Sequence, residues 1–255
     1  MFVEERQQAI AELITRRGRM SVVDLAREYD VTTETIRRDL STLERLNVLR
    51  RVHGGAVPAN AFTVIEAGLR DRDLAQTQEK DAIAAATLSL LPEADATLIF
   101  DAGSTTVRLA ESLPRNRRFT VFTNSVPVAS RLAENEQVDL HLLPGRVRKT
   151  TAAAVGAETV AKLSQIRADV AFIGTNGITV RHGLSTPDSA EAATKRAMIQ
   201  AAQRIVVLAD STKIGRELTV RFADLNDIDV LVTDAEIAPA DKAAFESLGI
   251  EVVIA

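Results

Sequence analysis

Four short polar segments of the chain carry side chains suited to binding an anion or sugar hydroxyls, and each follows an apolar run. They are residues 101–106, 123–125, 174–177 and 210–213. Residues 103–106, Gly-Ser-Thr-Thr, combine a glycine that admits close approach to the backbone with three hydroxyls at the start of a helical pattern, which suits a phosphate. Asp101 and Asn124 supply groups that bind sugar hydroxyls. Each segment taken alone is better explained by ordinary helix caps and turns.

The elements that must position these segments alternate between strand and helix. The patterns predict strands at 97–100, 119–122, 138–143, 170–173, 205–208, 230–232 and 251–254, and helices at 79–91, 106–113, 126–133, 157–163, 190–202 and 240–248. Such alternation predicts a doubly wound, mainly parallel α/β sheet. The four polar turns then meet at the carboxyl edge of the sheet, where open α/β folds bind ligands. The nine scattered aromatic residues do not indicate a stacking pocket, so a small phosphorylated ligand is the best match.

An amphipathic, arginine-rich helix is predicted near the amino terminus. From Ile36 onward, apolar residues recur on one face, and Arg38, Ser41 and Arg45 lie roughly opposite; the apolar set is Ile36, Leu40, Leu43 and Leu46. Thr32 is the expected N-cap, so that the first turn presents hydroxyls and cations beside free backbone N–H groups. The candidate DNA contacts are Thr32, Thr33, Thr35, Arg37, Arg38, Ser41, Arg50, Arg51 and His53.

The flanking patterns complete a winged helix-turn-helix. A helix over 3–17 precedes a Ser21–Asp24 capping box that opens a helix over 22–29, and residues 48–55 form a small hairpin with cations near its tip. Winged helices also serve as protein-interaction modules, so this pattern alone leaves DNA binding and protein binding both open.

The order of residues favours DNA binding. The run TIRRDLSTLE with residues 49–56 resembles the amino-terminal domain of the DeoR family of bacterial regulators, and segments 101–106, 123–125, 174–178, 183–187 with Glu191 and Lys195, and 210–215 resemble its sensor domain. Three positions depart from the family pattern: Asn47, where glycine is usual, Arg146, where a second glycine is common, and Asn176, where some relatives have Asp.

The resemblance implies a sensor related in fold to sugar-phosphate isomerases and a phosphorylated sugar or polyol as effector. Residues 174–198 are similar to actinobacterial regulators of fructose utilisation, which makes fructose 1-phosphate the first candidate. The candidate ligand-binding residues are Asp101, Gly103, Ser104, Thr105, Thr106, Asn124, Ser125, Gly145, Asn176, Lys195 and Lys213.

The sequence therefore predicts a repressor of a sugar-catabolism operon that acts as a dimer or tetramer on double-stranded operator DNA. The expected limits are a DNA-binding domain at 1–58, a linker at 59–78, and a sensing and oligomerisation domain at 79–255. Two alternatives stay open. A phosphosugar isomerase-like enzyme could use Asp101 and Lys213 to move a proton, and a winged-helix interaction module would show no salt-sensitive affinity for DNA.

Composition excludes several classes of site. The chain has no cysteine and three histidines without ligand spacing, so we expect no disulfide, metal site or cofactor. It has no membrane-length apolar stretch and no cationic apolar leader, which predicts a cytoplasmic protein. Residues 1–58 carry a net charge of +1 and the remainder −5, within a total of −4. DNA affinity must therefore come from a local cluster of arginines rather than from overall charge.

Overall fold

A computed structural model describes residues 3–18, 20–46, 48–52, 54–58, 68–93 and 95–255. The chain divides into two compact units, a smaller amino-terminal one, with which the short segment Gly215–Leu218 is grouped, and a larger carboxyl-terminal one. In these described ranges, no helix is both long and apolar enough to cross a membrane.

The amino-terminal unit is a winged helix. Its elements are α1 (Val3–Arg17), β1 (Met20–Ser21), α2 (Val22–Glu28), α3 (Thr33–Arg45), β2 (Leu49–Val52) and β3 (Gly55–Pro58). The strands form an antiparallel sheet in the order β1-β3-β2. Ser21 caps α2 by accepting the Asp24 N–H at 3.0 Å, and Thr32 caps α3 by accepting the Thr35 N–H at 3.2 Å. Both predicted caps are thus confirmed.

The recognition-type helix α3 is fixed to α1 by a buried ion pair that the apolar pattern does not reveal. Asp39 is 3% exposed and accepts from Arg6 Nε at 2.7 Å and from Gln7 Nε2 at 2.9 Å. The predicted apolar face is correct at Ile36, Leu40 and Leu43 but wrong at Leu46, which is 65% exposed. The helix ends at Arg45, so the helical period no longer determines where the Leu46 side chain lies.

The carboxyl-terminal unit is the predicted doubly wound domain. Its helices are α4 (Leu69–Leu74), α5 (Thr77–Thr87), α6 (Ser104–Glu111), α7 (Val126–Leu132), α8 (Ala157–Leu163), α9 (Ser189–Ala201) and α10 (Pro239–Ser247). Its strands are β4 (Ala96–Phe100), β5 (Phe119–Thr123), β6 (Val138–Leu142), β7 (Arg146–Arg148), β8 (Ala153–Val155), β9 (Ala168–Gly174), β10 (Gly177–Thr179), β11 (Gly183–Thr186), β12 (Ala202–Leu208), β13 (Val220–Ala223), β14 (Val230–Thr233) and β15 (Glu251–Ile254). Short 3₁₀ turns cover Leu88–Leu90, Ser211–Lys213 and Leu225–Asp227.

Seven strands form one fully parallel sheet in the order β15-β14-β12-β9-β4-β5-β6. Alternate residues of each strand enter two apolar cores, so that Leu98 and Phe100 pack with α5, α6 and α7, whereas Ile99 packs on the face of α8, α9 and α10. The strand order reverses between β4 and β9, and this switch point opens a crevice at the carboxyl edge. The short antiparallel strands β7, β8, β10, β11 and β13 were not predicted.

Candidate functional site

A buried ion pair lies at the switch point between β4 and β9. Asp101 follows β4, and its carboxylate contacts the amine of Lys195 on α9. The Asp101 Oδ2 atom also accepts the Gly174 N–H at 2.9 Å, and the lysine amine donates to the Gly174 carbonyl at 2.9 Å. Asp101 is 1% exposed and Lys195 is 5% exposed. Two adjacent strand ends and a helix therefore hold one charged cluster.

Burial raises the pKa of the Asp101 carboxyl, and the attraction of Lys195 together with the Gly174 N–H opposes that shift without cancelling it. The nearby Glu191 carboxylate adds to the rise. Glu191 and Lys195 lie one helical turn apart on α9, so both side chains project from the same face toward Asp101. The cluster thus contains two carboxyl groups and one amine, and polar atoms of a ligand could take the place of the contact between Asp101 and Lys195.

Asn124, at the end of β5, contributes a buried hydrogen-bond acceptor. Its Nδ2 donates to the Ala154 carbonyl at 2.9 Å, and this contact fixes the amide so that Oδ1 is the other atom. Within the described residues, Asn124 Oδ1 is buried and has no hydrogen-bond donor. Ser125 is the N-cap of α7 and accepts the Val128 N–H at 3.3 Å. Of these two predicted residues, Ser125 has a structural task and Asn124 retains a free acceptor.

The first turn of α6 follows Asp101 directly. Ser104, Thr105 and Thr106 are all buried, and Thr106 Oγ1 donates to the Gly103 carbonyl at 2.9 Å. Gly103 is the N-cap residue and makes no side-chain cap, so the N–H groups of this turn are oriented toward the end of the helix without a capping oxygen. This arrangement suits the binding of an anion.

A small hairpin of β7 and β8 closes over the same region. Arg148 on β7 contacts Glu191 and lies 3.4 Å from the Asp188 carboxylate, and Thr151 Oγ1 donates to Glu191 at 2.6 Å. The space that remains is a cavity of about 10 Å³ lined by Asp101, Ala102, Asn124, Ala153, Glu191 and Lys195, here called the polar crevice. That volume is about what one water molecule requires.

The remaining predicted ligand residues are not among those lining the polar crevice. Lys213 follows β12 and lies 3.7 Å from the Asp210 carboxylate. Asn176 is half-buried, and its N–H donates to the Ser185 carbonyl at 3.3 Å. At Gly145, with a φ of 139°, a Cβ would lie 2.3 Å from Thr159 Oγ1, so close packing by itself accounts for glycine there.

Lys80 was not singled out from the sequence. It is 3% exposed, and its amine donates to the carbonyls of Arg72 and Ala75 ahead of α5. Burial lowers the pKa of this amine, Asp210 opposes the shift, and Lys213 and Arg108 lower the pKa further. The charges of Asp210 and Lys213, which follow the carboxyl end of β12, therefore influence the Lys80 amine.

The amino-terminal unit presents cations on the exposed side of α3. The side chains of Arg37 and Arg38 are 54% and 82% exposed, with only distant contacts of 3.5 and 3.9 Å to Glu34. The first-turn residues Thr33 and Thr35 are half-buried beside the Thr32 cap. This surface can approach a groove or phosphates without losing a strong internal ion pair.

The wing is tied to α3 by two contacts of Arg51. Its guanidinium donates to Ser41 Oγ at 2.8 Å, and its backbone N–H donates to Glu44 Oε1 at 2.8 Å. The structure therefore brings together two of the predicted DNA contacts, Ser41 and Arg51. The predicted contact His53, the departure Asn47 and the side chain of Arg50 lie outside the described part of the structure.

Comparison with known families assigns both units. A model described as the DeoR C terminal sensor domain matches residues 75–235, and one described as the DeoR-like helix-turn-helix domain matches residues 6–62. The chain belongs to the DeoR family. The family assignment establishes it as a helix-turn-helix DNA-binding transcriptional regulator with a sensor domain.

Several curated DeoR-family proteins resemble the chain over almost its whole length. The HTH-type transcriptional regulator GlpR of Haloferax volcanii is 34% identical over 253 residues, covering 99% of this chain and 98% of that protein. The uncharacterized regulator FruR of Bacillus subtilis is 34% identical over 236 residues, covering 92% and 93%. The glycerol-3-phosphate regulon repressor of Escherichia coli K12 is 32% identical over 232 residues, covering 91% and 90%.

Among solved structures, ribose 5-phosphate isomerase A of Methanocaldococcus jannaschii aligns with 55% of this chain and 55% of its own, at 16% identity and a TM-score of 0.41. The eIF2B beta subunit of Chaetomium thermophilum aligns at 15% identity with a TM-score of 0.41, covering 61% of this chain and 48% of that one.

In this DeoR-family chain, the structure brings three predicted residues into one cavity, Asp101, Asn124 and Lys195. Sequence reasoning missed Arg148 and Thr151, which close that cavity from the hairpin. Their signal is weak because β7 has three residues and no periodicity. Throughout the described ranges, no group of three or more histidine or acidic side chains is arranged to hold a metal ion.

Proposed function

We propose that the chain is a repressor of a sugar-catabolism operon, released from its operator by a phosphorylated sugar bound at the polar crevice. The winged helix would bind double-stranded operator DNA, and the sensor unit would bind the effector and assemble a dimer or tetramer. The proposed domain limits remain 1–58, 59–78 and 79–255. Fructose 1-phosphate is the first effector to test, and the similarity to the glycerol-3-phosphate regulon repressor of Escherichia coli supports a phosphorylated polyol or sugar as the effector class.

One observation carries the effector half of this proposal: Asn124 Oδ1 is a buried acceptor without a donor, and it belongs to a cavity lined by charged groups. An unsatisfied buried polar atom costs about 1–3 kcal/mol, and a ligand hydroxyl that donates to it would recover that energy. The uncapped first turn of α6, next in sequence to Asp101, would receive the phosphate. Lys213 and Asn176 would meet the outer part of the ligand.

The polar crevice must enlarge to admit a phosphosugar, because its present volume of about 10 Å³ suits one water molecule. The β7–β8 hairpin is the element we expect to move, since it contributes Ala153 to the lining and is attached to α9 through Arg148 and Glu191. A ligand that binds only the open arrangement shifts the population of states, which is the requirement for an effector.

The DNA half rests on the exposed cations of α3. Arg37 and Arg38 would contact bases or phosphates, and the wing, held through Arg51 and Ser41, would contact the backbone. In a two-fold assembly, two such units would read half-sites separated by about one helical turn, roughly 34 Å, or a multiple of it.

The effector is tested by thermal unfolding of the full chain with fructose 1-phosphate, other sugar and polyol phosphates, and their unphosphorylated parents. A ligand at 100 times its dissociation constant stabilises by about 2.7 kcal/mol. We expect one phosphorylated compound to raise the unfolding midpoint and its parent to have no effect. Asn124→Ala should abolish the shift, and Asn226→Ala, at an exposed position, should retain it. Equal shifts in both variants would contradict the proposed pocket.

DNA binding is tested by selecting sequences from a random duplex library and measuring affinity at several salt concentrations. Arg38→Ala should abolish specific binding and leave effector binding intact, whereas Arg16→Ala, an exposed arginine on α1, serves as the matched control. Affinity that does not depend on salt, or the absence of any selected sequence, would favour the interaction-module alternative.

We also propose that the chain is not an enzyme. The Asp101 carboxylate is held by Lys195 and the Gly174 N–H, which supports a binding role for it rather than proton transfer. Isomerase assays with several phosphosugars test this point. Turnover that disappears in Asp101→Asn would establish the isomerase-like alternative instead.

A further inference from the structure

Strand β6 forms one edge of the seven-stranded sheet. Its sequence, Val138-Asp139-Leu140-His141-Leu142, contains no proline or lysine, which commonly block the pairing of an edge strand. Across the described residues, no strand pairs with its outer side. The strand therefore offers backbone groups and side chains to another strand.

Known hydrogen bonds settle which backbone groups face outward. Leu143 N–H donates to the Thr123 carbonyl at 2.8 Å, and Phe119 N–H donates to the Gln137 carbonyl at 3.0 Å. Odd-numbered residues of this segment thus direct their backbone groups toward β5, because both groups of a residue point to the same side in a parallel ladder. The N–H and carbonyl of Leu140 consequently point toward the outer edge.

We propose that two copies of this chain pair through β6, antiparallel, about a two-fold axis at Leu140. Leu140 of each copy would then donate to and accept from Leu140 of the other, as in the hydrogen-bonded pair of an antiparallel ladder. In the same register, Asp139 lies opposite His141 of the second copy, and Val138 lies opposite Leu142. An acidic side chain thus meets an imidazole twice, and apolar side chains meet apolar ones.

Other registers lose this complementarity. An axis at Asp139 would place two carboxylates opposite each other, and an axis at His141 would place two imidazoles opposite each other. A shift by one residue would set Asp139 against Leu140, because neighbouring residues lie on opposite faces of the strand. Among these registers, only the one centred on Leu140 places each carboxylate opposite an imidazole and each apolar side chain opposite another.

The side chains of β6 are already arranged for this pairing. Asp139 Oδ2 and His141 Nε2 lie 3.3 Å apart on the same face, and the imidazole stacks on Phe122 with ring centroids 4.5 Å apart. Leu142 is 54% exposed on the opposite face. Pairing would cover this leucine and join two intrachain Asp–His contacts into one four-residue cluster across the axis.

Two exposed valines lie on elements that neighbour the strand in space or in sequence. Val126 is 41% exposed at the start of α7, a helix that contacts β6, and Val147 is 47% exposed on β7, which follows β6 in the chain. Larger exposed apolar patches mark interaction sites, and a symmetric dimer uses the same patch on both copies.

The opposite edge of the sheet lacks these features. In β15, the charged residue Glu251 contacts Arg204 of the same chain at 3.1 Å. Antiparallel pairing of β15 about an axis at Val252, whose backbone groups point outward, would place Glu251 opposite Val253, a charged residue against an apolar one. The observations therefore favour β6 over β15. The proposal does not depend on the identity of the effector.

Disulfide cross-linking of the full chain tests the register, because the protein has no cysteine of its own. Positions 139 and 141 of the two copies would be about 4.5 Å apart at Cα, within disulfide range. Positions 139 and 139, or 141 and 141, would be roughly 8 Å apart, beyond that range. A mixture of Asp139→Cys and His141→Cys should therefore cross-link under mild oxidation, and each variant alone should not. No cross-link in the mixture, or equal cross-linking in all three samples, would overturn the proposal.

A charge exchange provides an independent test by sedimentation or light scattering. Asp139→Lys alone places cations opposite His141, and His141→Asp alone places two carboxylates opposite each other. Each change acts twice across the axis, so we expect the dimer dissociation constant to rise about tenfold or more. Mixing the two variants should restore a heterodimer. Unchanged thermal unfolding would show that each variant folds; a monomeric native protein, or association unaffected by either change, would refute the pairing.

Discussion

The buried ion pair between α1 and α3 should determine whether the recognition helix is held in place. Asp39→Ala removes the acceptor of Arg6, a residue that is 9% exposed in the native structure, and leaves its guanidinium without this anion. Removing one partner of a buried pair costs about 3–5 kcal/mol, because the remaining charge stays desolvated. Gln7 loses its acceptor as well, but it is half-buried and can turn to water.

That cost is large relative to the stability of the unit. A folded unit of about 60 residues has roughly 3–9 kcal/mol of stability in total. We therefore expect Asp39→Ala to lower the unfolding transition of the amino-terminal unit sharply and to abolish DNA binding, while effector binding by the sensor unit persists. We expect calorimetry to resolve the two compact units as separate transitions, because a two-unit chain need not unfold in one step.

A double variant distinguishes ion pairing from simple packing. Arg6→Met with Asp39→Leu replaces the pair by apolar side chains of comparable size, a change that is often neutral or stabilising for buried pairs. We expect this variant to recover most of the lost stability. If Asp39→Ala unfolds like the native protein within about 0.5 kcal/mol, the size expected for an inconsequential surface change, the reasoning about this pair is refuted.

Three further outcomes follow from single positions. Gly145→Ala should destabilise the sensor unit by about 1–3 kcal/mol without any ligand, because the new methyl group would clash with Thr159 Oγ1. Urea unfolding measures this loss of stability, and native-like stability would contradict the prediction. Burial lowers the pKa of Lys80, so between that lowered pKa and the usual 10.5 the unfolded state binds more protons than the folded state. The free energy of unfolding should therefore rise with pH across this window. Unfolding at several pH values should show this rise in the native protein but not in Lys80→Met. If Arg51 contacts one phosphate, Arg51→Ala should weaken DNA binding and reduce the slope of log affinity against log salt concentration by about 0.9. Fluorescence anisotropy at several salt concentrations measures this slope. An unchanged slope would show that Arg51 does not contact the DNA.

Local sequence patterns predicted the structure correctly where a residue's environment depends on its neighbours in sequence. The caps at Ser21 and Thr32 and the strand and helix alternation of the sensor unit were predicted because they arise from side-chain chemistry and periodicity over a few residues. The carboxyl-edge location of Asp101 and Asn124 followed from the parallel sheet. Leu46 shows the limit of this approach, since the helical period was extended one residue past the end of α3.

Long-range partners could not be predicted in this way. Asp39 interrupts the apolar face of α3, and its partner Arg6 lies 33 residues earlier in the chain. Likewise, Arg148 contacts Glu191 across 43 residues from a strand only three residues long. Such short elements have little intrinsic preference of their own and depend on tertiary contacts, so neither the β7–β8 hairpin nor its ion pair has a local signature.

These long-range contacts also affect the free energy of the proposed effector binding. The hairpin is held to α9 through Arg148 and Glu191, and the crevice beneath it is filled by the Asp101–Lys195 pair. Under the proposed function, an effector would bind an arrangement that is only a minor fraction of the free protein, and its apparent affinity would be reduced by that fraction. The same cost would make the sensor responsive, because a ligand that bound closed and open arrangements equally would shift no equilibrium. On this argument, the pairing of Arg148 with Glu191 and of Asp101 with Lys195 would belong to the proposed switching function, since a ligand would have to replace these contacts.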